Sequence, residues 1–108
     1  MKLIQVIKRA MLSLALATSL GHAAPAGTPV LVGIDAEFGH KTSTSAQAIQ
    51  RGLEIAIDEI NAAGGVLGGR PLRLVVRDNR SITAMGLDNL RELAAMPDLV
   101  AVFGGKFS

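Results

Sequence analysis

The chain has 108 residues, 49% of them hydrophobic, with 12 glycines, three phenylalanines and no cysteine, tryptophan or tyrosine. That length suits at most one small domain, and the lack of cysteine excludes disulfides and thiolate metal sites. The formal charge of +2 is unevenly placed: Lys2, Lys8 and Arg9 precede the first apolar run, and from Ala24 onward eight basic residues stand against nine acidic ones, so a nucleic-acid partner loses its main support.

Residues 1–23 read as a targeting segment. A charged stretch, 1–9, leads into an apolar stretch, 10–20, and then into Gly21-His22-Ala23-Ala24. The apolar stretch is too short to span a bilayer. Cleavage between Ala23 and Ala24 puts Gly21 and Ala23 at the two small-residue positions; cleavage after Ala26 is the alternative. With no cysteine after either site, a lipid-anchored route is closed, and the expectation is Sec-type export to the periplasm as a chain that does not itself span the membrane. His22 would leave with the signal, so His40 is then the sole histidine, and no metal site or cofactor is expected.

Residues 24–29 form a Pro/Gly linker. Val30-Leu31-Val32-Gly33-Ile34 is apolar on both parities, as in a strand covered on both faces. A polar loop, 35–45, follows, longer than most strand-to-helix connections. The stretch 46–69 predicts an amphipathic helix closed by glycines. At about 100° per residue, Ile49, Leu53, Ala56, Ile57 and Ile60 gather on one side, with Ile55 as the misfit. Thr42-Ser43-Thr44-Ser45 offers hydroxyls for the helix start, and Gly64 and Gly65 can take the left-handed conformation that closes it.

Pro71 then permits a strand to begin, and residues 72–77 alternate in hydrophobicity, which predicts a position nearer an edge. After the turn at 78–81, residues 83–96 predict a second helix, with Leu87, Leu90 and Ala94 on its apolar stripe and Pro97 ending it. Residues 99–103 form a third, fully apolar strand, and 104–108 the loop beyond it. The expected fold is α/β: a three-layer, parallel β-α-β-α-β unit in which right-handed crossovers give the strand order 2-1-3. A ligand would then sit outside the carboxyl ends of the first and third strands, where the winding reverses. Phe38 and Phe107 lie in the two loops that flank this crevice.

GGVLGG, residues 64–69, follows a helix and precedes a strand. That is the reverse of a phosphate-cradling loop, so it reads as a helix end and not as a nucleotide site. Asp35 and Asp78 end strands and read as turn and capping residues. Glu37, His40 and Lys41 share a loop of no fixed geometry, and all three are expected to be solvated side chains on the surface. Ser108 and the Gly104-Gly105 pair are better placed, because backbone N–H groups and a hydroxyl at a strand end can hold a carboxylate. No nucleophile–base pair is placed for catalysis, so an enzyme is not expected.

Residues 33–81, GIDAEFGHKTSTSAQAIQRGLEIAIDEINAAGGVLGGRPLRLVVRDNRS, followed by LVAVFGGKFS at 99–108, resemble the start of a type I periplasmic binding protein. The group is the leucine/isoleucine/valine-binding proteins of branched-chain amino acid ABC transporters. The most specific piece is AIDEINAAGGVLGGRPLRLVVRD, residues 56–78, and the likeness runs from about Val30 to Ser108. The resemblance implies a secreted receptor of two α/β lobes joined by a hinge, which closes on an amino acid or amide and delivers it to a membrane permease. Residues 30–108 would be the opening, incomplete part of the first lobe. Carried over, the loop after the third strand helps bind the ligand carboxylate. Ser108 is then the first candidate, with Gly104, Gly105, Lys106 and Phe107 beside it; Glu37 and Phe38 would border the cleft. One strand-end wall alone is expected to bind no amino acid with useful affinity. The alternatives are an extracytoplasmic sensor of the same fold and an inactive truncated product.

Overall fold

The computed structural model describes residues 25–106, with Gly105 and Lys106 described by their backbone alone. The signal segment and its cleavage residues Ala23 and Ala24, together with Phe107 and Ser108, lie outside the described residues. The element order is β1 (Val30–Ala36), α1 (Thr44–Ala62), β2 (Leu72–Asp78), α2 (Thr83–Ala94) and β3 (Leu99–Lys106). The three strands form one parallel sheet in the order β2-β1-β3, as the crossover argument predicts.

The central strand earns its place by composition. Val30, Val32, Ile34 and Ala36 point to one face and are all buried. Gly33 belongs to the opposite face, where a Cβ would lie 3.0 Å from Cδ1 of Leu93 in α2. Leu93, with none of its surface exposed, therefore packs directly over the glycine. A side chain at position 33 would push the helix off the sheet. β1 and β2 pair in unbroken register from Val30↔Leu72 to Ala36↔Asp78. β1 and β3 pair with irregularities near Leu31/Val32 and Asp35/Ala36.

α1 ends as its glycines predict. The Gly64 N–H donates to the Asn61 carbonyl (3.1 Å) and the Gly65 N–H to the Ile60 carbonyl (3.0 Å), with both glycines at positive φ. Its start differs from expectation. Ser43 stands at the N-cap without a side-chain cap bond, because its hydroxyl donates to Glu37 instead. Among the predicted apolar stripe of α1, Ile57 is buried and Leu53 half-buried, whereas Ile49, Ala56 and Ile60 remain exposed; Ile55 is exposed, as a misfit should be.

The second helix is shorter than predicted and turned. It ends at Ala94, and its buried residues are Gly86, Asn89 and Leu93. The expected stripe of Leu87, Leu90 and Ala94 is exposed instead. Hydrophobic periodicity counted the apolar side chains, but the helix presents the face that fits: a glycine, an asparagine with a buried partner, and the leucine over Gly33. The third strand is longer than predicted. Gly104, Gly105 and Lys106 were read as loop, yet they continue β3, where Gly104 pairs with Asp35 and Lys106 with Ala36. Glycines weaken a strand by propensity but permit the close backbone approach found here.

The amino-terminal edge of the sheet is fastened by Arg70. Its Nη2 meets Asp98 Oδ1 at 2.8 Å, and its Nε donates to the Thr28 carbonyl at 2.7 Å. The carboxyl-terminal edge is left to a different set of residues.

Candidate ligand-binding edge

At the carboxyl ends of the strands, four polar side chains organise the surroundings of β1. Asp35 is 4% exposed. Its Oδ1 accepts from Asn89 Nδ2 at 2.9 Å and its Oδ2 from Asn79 Nδ2 at 3.3 Å. Asn89 Nδ2 also donates to the Asp78 carbonyl (3.0 Å), so the middle of α2 is tied to the ends of both β1 and β2. Asp78 turns its carboxylate the other way: Oδ1 accepts from the backbone N–H of Phe38 (3.2 Å) and of Arg80 (2.9 Å). Asn79 Oδ1 accepts from the Ser81 N–H (2.9 Å). These bonds hold Arg80 and Ser81 at φ 51 and 60, left-handed values that a residue with a side chain adopts at a cost. Asp78 thus acts as the turn-forming residue that the sequence suggests, whereas Asp35 does not: it lies inside β1, buried, and its carboxylate holds two carboxamides distant in the chain.

The loop after β1 is built around Glu37. Its side chain is 1% exposed; Oε2 accepts from Ser43 Oγ (2.7 Å) and Oε1 from the His40 N–H (2.9 Å). The His40 ring lies 3.9 Å from the same carboxylate and is largely exposed. Glu37 therefore shapes the loop from within. Phe38 is half-buried beside it, and Lys41 is exposed.

Across the crevice, Gly104 has φ 150, and a Cβ there would collide with the Asp35 carbonyl. The close approach sets the end of β3 directly against β1. Of the residues named from sequence, the structure brings Gly104, Gly105 and Lys106 on β3 to the same sheet edge as Glu37 and Phe38; Ser108 and Phe107 lie outside the described residues. Asn79 and Asn89 were not anticipated, because their partner Asp35 is 44 and 54 positions away in the chain.

A concavity of about 400 Å³ adjoins this edge on the α2 side of the sheet, lined by Asp35, Thr83, Leu87, Leu90, Val102 and Gly104 among others. Its lining is mainly apolar, and it is formed by the stripe of α2 that the sheet leaves uncovered. Among the described residues, no group of three or more His, Cys, Asp or Glu side chains could hold a metal ion, and no helix is long and apolar enough to cross a membrane.

Comparison with known proteins places this geometry. Residues 16–108 match the family model described as periplasmic binding protein. The chain is 30% identical over 98 residues to Leu/Ile/Val-binding protein homolog 7 of Brucella suis biovar 1, an alignment covering 91% of this chain and 24% of that protein. The homologue of the same name from Brucella abortus strain 2308 is 29% identical over the same length, again 91% of this chain and 24% of the relative. The chain thus spans about a quarter of the length of the curated relatives it matches. No solved structure matches it significantly. A family-model match over residues 16–108, with a parallel sheet in the order β2-β1-β3, makes the chain a member of the periplasmic binding protein family.

Proposed function

We propose that the protein is the substrate-binding component of an ABC importer for branched-chain amino acids, working in the periplasm after removal of residues 1–23. The observation that carries the reading is the juxtaposition at the β1/β3 switch point, where Gly104 and Gly105 of β3 run beside the end of β1, from which the loop bearing Phe38 departs. Backbone N–H groups without side-chain bulk suit a carboxylate, and Ser108 is the hydroxyl proposed to complete its binding. In this reading Lys106 and Phe107, next in sequence, would contribute beside that site, and Phe38 would border the space for an apolar ligand side chain. The sheet described here is part of a first lobe. A second lobe would close on the ligand, and the closed form would be the one a membrane permease receives. No step of this function requires a reaction at the protein, a cofactor or a nucleic acid.

The test is a calorimetric titration of the native exported protein with leucine, isoleucine and valine, with glutamine and urea as comparison ligands. Micromolar binding of the branched-chain amino acids is the expected result. Silence toward all three, with binding of an amide, would move the function to a sensor of the same fold. The intact mass of the same protein, captured with an antibody against residues 47–70, distinguishes a stand-alone product of residues 24–108 from a two-lobed receptor several times heavier.

A further inference from the structure

We propose that Asp35 is a positioning residue of the ligand edge: its backbone sets the end of β3, and its carboxylate sets the loop after β1. The proposal rests on the reading of the strand ends as a ligand site, but its test uses no ligand. One wall is set by contact: the Asp35 carbonyl lies where a Cβ of residue 104 would be, so the end of β3 is placed against the backbone of Asp35 itself. The other wall is set through a relay. The Asp35 carboxylate receives Asn79 and Asn89; Asn89 holds the Asp78 carbonyl; and the Asp78 carboxylate holds the Phe38 N–H.

The choice of a carboxylate argues for this role over mere packing. Asp35 is buried, and among the described residues none of the ion pairs includes it, so its charge is sustained by carboxamide donors. An apolar side chain would fill the same space without that desolvation cost. A carboxamide could not replace it. Asn79 and Asn89 both approach with N–H groups, and Asn79 commits its oxygen to Ser81. An asparagine at position 35 offers one acceptor and one donor, so one of the two contacts would set donor against donor. Only the carboxylate accepts from both at once.

Asp35→Asn, which preserves volume, is therefore the informative variant. Amide hydrogen exchange in the full chain should rise about tenfold or more at Phe38, Ser81 and Ile82, as loss of a charge-assisted bond implies. It should stay unchanged at Val30, Val66 and Arg70, whose N–H groups are bonded at the opposite end of the sheet. Asn89→Ala, which breaks the same relay from the helix side, should loosen the same amides. Equal acceleration at both ends, no change at Phe38, or outright unfolding of both variants would overturn the proposal, since Asp35 would then serve the whole fold or nothing at the crevice. Failure of the wild-type protein to bind leucine would leave this result standing and would fall on the proposed function alone.

Discussion

Leu93 is packed over Gly33 with no surface exposed, and it is the largest apolar side chain that α2 commits to the sheet. Leu93→Ala should cost about 2–5 kcal/mol, the range for a fully buried leucine whose site only partly collapses, measurable by urea denaturation. Two glycines make a sharper pair. Gly52 sits inside α1 with open space around its missing Cβ, so Gly52→Ala should stabilise by roughly 0.5–1 kcal/mol. Gly104→Ala meets the Asp35 carbonyl and should destabilise and disorder the end of β3 in the same assay. Equal effects for the two would contradict the assigned close approach. Single residues were legible where their reason was local: Gly64 and Gly65 could be assigned to a helix end because the next turn of chain decides it. Asp35 could be read only as a turn residue, since nothing near it in sequence names Asn89 as a partner.

At the scale of elements, β1 and β3 are composed alike but buried differently. Apolar on both parities, β1 lies between two strands and is buried almost throughout. β3 is equally apolar, yet Val100 and Phe103 are 62% and 45% exposed, and it forms an edge of the described sheet. Such an edge pairs readily with other chains. Val100→Lys should therefore reduce concentration-dependent association in light scattering, while leaving the melting temperature nearly unchanged. The junction from α1 to β2 depends on Asn61, whose carboxamide donates to the Leu72 carbonyl (2.9 Å) and accepts from the Leu72 N–H (2.8 Å), continuing the ladder with a side chain. Asn61→Ala leaves both backbone groups short of a partner and should cost about 1–3 kcal/mol by denaturation. Strand order was legible, because the β-α-β-α-β rhythm and the crossover rule leave few topologies. The face of α2 was not. Periodicity reports where apolar side chains lie, whereas the sheet selected the side with Gly86, a satisfied Asn89 and Leu93.

For the whole molecule, the two ends of the sheet are built for different tasks. Arg70 locks the amino-terminal end through Asp98 and the Thr28 carbonyl. The carboxyl-terminal end is a set of loops and glycines held by buried acids and carboxamides. In the proposed function this edge would supply one wall of a two-lobed site, so residues 24–108 prepared alone should show no micromolar affinity for any amino acid by calorimetry. Tight binding by that segment would contradict the need for a second wall. The most direct measurement is hydrogen exchange on the native exported protein with and without leucine. The account predicts protection at residues 37–43 and 104–108 and none at residues 64–70. Protection confined to the Arg70 end, or none anywhere under saturating leucine, would contradict it.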